Sequence, residues 1–317
     1  MNGNLVDESE AKLSIYDSAL MFGDMVFEMT RSFAGTHFKL EEHIERLLYG
    51  LKILRINIPY SKEDLLNACE KITKVNQEFF EHDDEHRLLI DVSRGLLGIY
   101  QEVSNLSPGP NIIIADFPLR WTVRGMSKLF QVGINACIPS QRAIPAQLMD
   151  PKIKNRSRLF YLMANIEVSQ FEGENNWALL VDPDGFIAEG TGDNFFIVKG
   201  GKIITPEGRN ILRGISRGYV MQELSVSLGL AVEERNIEPY DVYTAEEAFM
   251  TGTPFCMLPV TSLNGIPIGT GRVGDTFKAL IGRWSKNVGV DIQAQITQWD
   301  SNYDQTISGP TPYSFKR

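Results

Sequence analysis

The sequence predicts an α+β protein of two domains, a smaller one followed by a larger one, and three observations carry that expectation. The chain holds 317 residues, about twice the length of one ordinary domain. Residues 1–117 read as strands and amphipathic helices complete enough to form a small α+β domain of their own. From Trp177 onward short apolar strands alternate with turns rich in Gly and Pro, the pattern of antiparallel hairpins. Between these regions, residues 118–129 break the apolar periodicity and put charge between two strand regions, so we read them as an interdomain linker, with 130–317 as the large C-terminal domain.

In chain order, VFEMTRSF and THFKL read as two strands hinged on Ala34 and Gly35. EEHIERLLYGLKIL places Ile44, Leu47, Leu48, Leu51 and Leu54 at helical spacing. Ser61 followed by Asp64 ahead of LLNACEKI is a capping box opening a second helix. HRLLIDVSRG and NIIIADF are strands. VGINACIP follows the linker, and RSRLFYLMANIEVSQFE forms a helix with an apolar face of Leu159, Leu162, Met163 and Ile166. WALLVD, GFIAEG, NFFIVKG and KIITP are strands parted by Pro183-Asp184-Gly185 and Gly200-Gly201 turns. SRGYVMQELSVSLG is a helix ended by Gly229. A strand at AVEERNI, a short helix, a strand at EAFMTGT, the LPVTSLNG and IPIG hairpin, and a helix over Asp275 to Lys286 complete the series. The polar tail after Thr297, with Gly309, Pro310 and Pro312, reads as a loosely ordered terminus.

Composition narrows the function. The chain is 43% hydrophobic and 22% charged, with a mean hydropathy of -0.14, the balance of a packed soluble protein. Lys and Arg number 31 against 40 Asp and Glu, a net charge of -9 without a basic run, so a grip on nucleic-acid phosphates has no electrostatic basis. No apolar stretch approaches the roughly 20 residues that cross a bilayer, and the first residues lack the basic start and apolar middle of a signal peptide. Three widely spaced cysteines, Cys69, Cys137 and Cys256, fit a reducing cytoplasm. The four histidines fall outside metal-ligand spacing. GTGRVG at Gly269 to Gly274 follows a turn and reads as loop glycines, not a dinucleotide loop.

Several residues carry candidate chemistry. Lys154, in DPKIKNRSRLF after a proline-bearing turn, could aim an amine into a cleft, or be a surface lysine. Glu189 is an acid within apolar strand text, GFIAEGTGDNFF. A buried carboxylate needs a cationic or hydrogen-bonding partner, so it is either a satisfied strand-end glutamate or the counter-ion of a cationic ring nitrogen, as a pyridoxal phosphate electron sink requires. Arg46, one helical turn from His43, is either a solvated face or a phosphate ligand. GISRG at Gly214 to Gly218 opens a helix, an N-cap or an anion site. TGTP at Thr251 to Pro254 ends a strand in a hydroxyl-bearing turn.

FGDMVFEMTR, EHIERL, IKNRSRLFYLMANIEV, IAEGTGDNFFIV, ILRGISRG and FMTGTPFCMLPV, in this order over about residues 12 to 285, resemble the fold type IV (class IV) pyridoxal-phosphate aminotransferases, and the branched-chain enzymes most closely. The resemblance implies a small domain and a larger barrel-like domain, pyridoxal 5'-phosphate as cofactor, amino acid and 2-keto acid as substrates, and a homodimer or higher homo-oligomer. It implies Lys154 as the Schiff-base lysine, Glu189 as partner of the pyridine nitrogen, Arg46 as the phosphate arginine, Ile215 and Ser216 as phosphate ligands at a helix start, and Thr253 as the turn threonine. For the substrate it points to Phe27, Arg94, Thr253 and Pro254; the apolar Phe27, Met29, Phe255 and Met257 either line a pocket for an aliphatic side chain or are simply core, Met257 above all. Three positions differ from the branched-chain pattern: Leu159 stands where a tyrosine often follows the lysine, Val92-Ser93-Arg94 stands for tyrosine-x-arginine, and Met29 for glycine. The implied reaction is a ping-pong transfer from a branched-chain L-amino acid to 2-oxoglutarate. Its rivals are a D-amino-acid aminotransferase, a lyase of the aminodeoxychorismate type, and a binder without catalysis, which would need neither Lys154 nor Glu189.

Overall fold

The computed structural model describes residues 1–102 and 109–301. By its contacts the chain divides into two compact units, Met1–Leu119 with Lys152–Arg158, and Arg120–Pro151 with the described part of Leu159–Arg317.

In the first unit the strands are β1 (Met25–Met29), β2 (Ser32–Phe33), β3 (Thr36–His37), β4 (His86–Ser93) and β5 (Asn111–Pro118). Its helices include α1 (Ser18–Phe22), α2 (Leu40–Leu54) and α3 (Lys62–Asn76). The hairpin expected at Ala34-Gly35 forms between β2 and β3, with φ of 48° and 76° at the two loop residues, as a two-residue loop with left-handed central positions requires. β1, however, turns away from that hairpin and joins the antiparallel sheet β1-β4-β5.

Strand alternation sorts this sheet into two faces. Val26, Leu88, Ile90 and Val92 pack with Ile44, Leu47 and Leu51 of α2 and Leu65 and Cys69 of α3, while Phe27, Met29, Arg87 and Asp91 occupy the intervening positions. Gly50 sits inside α2 at a cost in helix propensity, because a Cβ there would lie 2.8 Å from Val26 Cγ1. The capping box forms as read: Asp64 N–H donates to Ser61 Oγ at 3.1 Å and Ser61 N–H to Asp64 Oδ2 at 2.8 Å.

The segment carrying Lys154, read from sequence as part of the C-terminal domain, clusters with the first unit. The reason is local: Phe27 N–H donates to the Lys154 carbonyl at 2.9 Å and Val26 bridges Asn155 antiparallel. The segment therefore takes up the edge of β1 that β4 leaves open.

The second unit holds β6 (Ile134–Cys137), β7 (Asn176–Val181), β8 (Ile187–Gly190), β9 (Asn194–Lys199), β10 (Lys202–Thr205), β11 (Ala231–Glu234), β12 (Glu247–Gly252), β13 (Cys256–Leu263) and β14 (Ile266–Pro267). The path runs β11-β10-β9-β12-β13-β6-β7-β8, and β8 pairs back with β9 at Glu189↔Asn194. Six strands thus close into the expected barrel, with Phe196 and Phe249 stacked at 4.8 Å between ring centroids in its buried set. The hairpin pattern from Trp177 to Thr205 gives antiparallel pairs, whereas β6 lies parallel to both β7 and β13 and β11 parallel to β10, pairings across long crossovers that hairpin text does not signal.

Helices α4 (Arg120–Val123), α5 (Leu129–Val132), α6 (Leu159–Val168), α7 (Ile215–Tyr219), α8 (Ser225–Ser227), α9 (Pro239–Tyr243), α10 (Asp275–Val288) and α11 (Ile292–Ser301) complete this unit, with a π-helical turn at Val220–Leu224 joining α7 to α8. Three expectations change here. The stretch read as a linker contains α4 and the start of α5, with Val123 and Leu129 buried, so it is packed structure. On α6 the buried residues are Ala164 and Val168, while Leu159 and Met163 are exposed; Ala164 and Val168 pack with Ala178 and Leu180 of β7, so small side chains set the contact face. The polar tail begins later than expected, since α11 runs to Ser301 and buries Trp299; Gly309, Pro310 and Pro312 lie outside the described residues. The GTGRVG glycines fall in the loop between β14 and α10.

Candidate active site

The first unit gathers a cationic group around Phe27. The Lys154 ammonium lies 4.7 Å from the ring centroid, and the Arg156 and Arg158 guanidinium carbons lie at 3.8 and 5.6 Å. Arg156 is held by Asp91, the residue paired with Phe27 across the sheet, through Nε–Oδ1 and Nη2–Oδ2 contacts of 2.9 and 3.2 Å. The amine is thus fixed by its backbone on β1 and by a ring that offers its face to cations.

On the opposite face of the strand, Glu28 is fully buried beneath α2. Its carboxylate accepts Arg46 Nε at 2.6 Å and Arg46 Nη2 at 2.8 Å, and meets His43 Nδ1 at 2.8 Å. Burial pushes the Glu28 carboxyl upward, but the Arg46 and His43 charges and hydrogen bonds outweigh it and hold the group well below the usual carboxylate range. Burial likewise lowers the His43 imidazole, and the Arg46 and Lys154 charges add to that against the opposing pull of Glu28.

Arg87 was not singled out in the sequence, yet its charge is poorly compensated. It is 7% exposed; Nη2 reaches Met29 Sδ at 3.2 Å, and Nε and Nη1 have no hydrogen-bond partner among the described residues. Burial, then the charges of Arg156 and Arg31, pull the guanidinium down to about 9. The available signal was an arginine at an alternating position within apolar strand text, HRLLIDV. Arg94, expected on the substrate, is committed elsewhere: Nε and Nη2 pair with Asp24, and Nη2 and Nη1 donate to the Leu54 and Arg55 carbonyls at the end of α2.

The second unit assembles its group by strand register. Glu189 on β8 pairs with Asn194 on β9, which pairs with Thr251 on β12, so the three stand side by side across neighbouring strands. Glu189 is 5% exposed and accepts from Tyr161 Oη at 2.9 Å, Asn194 Nδ2 at 3.0 Å and Leu212 N–H at 3.0 Å. Asn194 Nδ2 also donates to the Leu212 carbonyl at 2.9 Å. This pins the loop before α7, and Gly214 has no room for a side chain because a Cβ would lie 2.0 Å from Asn194 Oδ1. Ile215 and Ser216 open α7 immediately afterwards. Thr253 and Pro254 form the turn after β12, and the buried Thr251 Oγ1 has no hydrogen-bond partner among the described residues. Phe255 and Met257 are buried. Tyr161 supplies the phenol on the buried acid, seven residues after Lys154.

Residues 25–263 match the family described as amino-transferase class IV. The chain is a class IV aminotransferase. This aminotransferase is 36% identical over 281 residues, 88% of its own chain and 92% of the other, to a Methanocaldococcus jannaschii protein provisionally named a branched-chain-amino-acid aminotransferase. It is 31% identical to the branched-chain-amino-acid aminotransferase of Salmonella typhimurium, covering 88% and 89% of the two chains. Among solved structures it superposes on the Escherichia coli branched-chain amino acid aminotransferase with a TM-score of 0.80, 27% identity and coverage of 90% and 92%.

The residues of this aminotransferase suit the class cofactor, pyridoxal 5'-phosphate. The first unit presents an anchored primary amine. The second presents a buried carboxylate solvated by donors, and beside it a buried hydroxyl with hydrogen-bonding capacity to spare, at Thr251 Oγ1.

Proposed function

We propose that this aminotransferase moves the amino group of a branched-chain L-amino acid to 2-oxoglutarate, with Lys154, Glu189, Arg46, Ile215, Ser216 and Thr253 holding the cofactor. Bound pyridoxal phosphate supplies the electron sink that delocalises a carbanion at the substrate's α-carbon. Lys154 carries the cofactor at rest and moves a proton between the α-carbon and C4′ as base and then acid. Glu189 holds a proton on the ring nitrogen. Arg46, the start of α7 and Thr253 bind phosphate, and alternating donor and acceptor turnover gives ping-pong kinetics.

The observation that carries this reading is Glu189, a carboxylate buried on a strand that accepts from a phenol, a side-chain amide and a backbone N–H. Arg87 supports a substrate bearing carboxylates, because a buried guanidinium with unmet donors is stabilised by an anion. The apolar ring of Phe27 beside Lys154 and the names of the relatives support an aliphatic donor. The free, buried cysteines support a cytoplasmic setting, and the exposed Ile15, Leu20 and Phe22 support a homodimer or higher homo-oligomer.

The test is a panel of both amino-acid enantiomers with 2-oxoglutarate. L-leucine, L-isoleucine and L-valine should all turn over, separated by no more than about 1 to 3 kcal/mol in kcat/KM. A preference for D-alanine or D-glutamate would replace the branched-chain reading with the D-amino-acid one. Pyruvate from aminodeoxychorismate would mark a lyase, and silence across the panel a binder. Lys154→Ala should fold yet lose nearly all turnover and the borohydride-reducible adduct.

A further inference from the structure

Glu28 has no part in the chemistry above, yet it is fully buried, ionised and bonded to three side-chain nitrogens. Alternation along β1 explains its place: Phe27 and Met29 serve the face with the amine, while Val26 and Glu28 lie under α2. His43 and Arg46, three residues apart, fall on one side of that helix, so a single turn of α2 delivers both partners to one carboxylate.

The contact is specific in its geometry. Glu28 occupies the Nε–Nη2 edge of Arg46 with both oxygens, a fork-to-fork pairing that fixes the plane and roll of the guanidinium. His43 Nδ1 holds the carboxylate itself, at Oε2. Burial lowers its imidazole against the opposing pull of Glu28, and its contact with the carboxylate leaves the guanidinium fork to Arg46 alone. An arginine on an exposed helix face keeps much rotamer freedom; here that freedom is removed before any ligand arrives.

We propose that Glu28 and His43 are positioning residues that orient Arg46 toward the cofactor's phosphate and so set phosphate affinity without touching the phosphate. The proposal rests on the assignment of Arg46 as a phosphate ligand, and the two can be separated. The full-length chain, stripped of cofactor, is titrated with pyridoxal 5'-phosphate and with pyridoxal, which lacks the phosphate, following cofactor absorbance. A purely structural role would weaken both ligands alike.

Glu28→Gln, of the same shape, should weaken pyridoxal phosphate about tenfold and leave pyridoxal within about twofold. His43→Gln should do the same to a smaller degree, and serves alone if Glu28→Gln does not fold by circular dichroism. Equal losses for both ligands, or no loss for either, would overturn the positioning role. Arg46→Ala is the control: it should abolish most of the preference for the phosphorylated form. If it leaves that preference intact, the phosphate assignment of Arg46 fails and the proposal with it. If Arg46→Ala acts as expected and the Glu28 and His43 variants do not, the positioning role alone is wrong.

Discussion

Glu28 and Glu189 are both buried carboxylates on strands, one in each unit, and the donors that meet them differ. Glu28 is met by a guanidinium and an imidazole, so its charge is cancelled where it stands. Glu189 receives a phenol, a side-chain amide and a backbone N–H within its own unit, so dipoles there contribute to solvating its charge. The difference teaches that equal burial does not mean equal surroundings: one acid is held by a bidentate guanidinium and the other is met by a phenol, an amide and a backbone N–H.

Substitutions should separate the two. Glu28→Ala strands Arg46 and His43 in a dry site, and breaking a buried pair of this kind costs about 3–5 kcal/mol; thermal unfolding should show a large loss, and an unchanged Tm would mean the pairing is not structural. The first unit also contains all four histidines, so acid sensitivity should begin there. Burial, with the charges of His86 and His43, lowers His37 to about 4 against a partial opposing pull from Glu85. Between about 4 and the ordinary 6.5 the unfolded chain binds the extra proton, so stability rises with pH through this window and is lost as pH falls through it. The full span is worth about 3 kcal/mol. Denaturant titrations from pH 7 to 4 should show the decline, and His37→Gln should flatten it.

Glu189→Gln keeps the shape but removes the charge and exchanges one acceptor oxygen for an amide donor. Turnover should fall about a hundredfold, near 2.7 kcal/mol of barrier, with a much smaller change in cofactor affinity and in Tm. Equal turnover would remove Glu189 from the mechanism and erase the contrast with Glu28. The smallest effect belongs to Tyr161→Phe, which deletes one of the neutral donors; about 1 kcal/mol, seen as a several-fold drop in kcat, is expected.

Much of this arrangement was legible in the sequence where local rules govern. The Ser61 capping box, the Ala34-Gly35 hairpin and the strands from Trp177 to Thr205 follow from turn chemistry and alternation within a few residues. The candidate site residues Lys154, Glu189, Ile215, Ser216 and Thr253 were legible through ordered motifs. What escaped depends on partners distant in the chain. Arg94 reads as a substrate arginine until the fold brings Asp24 and the end of α2 beside it. Arg87 and Glu28 become informative only once β1 is known to pair with β4, about sixty residues away. The α6 face was misjudged because LFYLMANIEV is apolar nearly all round, and periodicity cannot choose a face when most faces qualify.

The course of the backbone through the Lys154 segment bears on how this protein can be cut. The chain leaves the first unit after Leu119, re-enters it for Lys152–Arg158, and leaves again. A gene fragment ending at Leu119 would encode the sheet and both long helices but leave the outer edge of β1 bare and omit the Lys154 amine. A fragment starting at Arg120 would carry that amine on a peptide without the strand it docks against. Split-protein complementation or domain swapping between relatives therefore has no single junction that respects both units; a working chimera needs crossovers at three places, or the heptapeptide Lys152–Arg158 exchanged together with the N-terminal part.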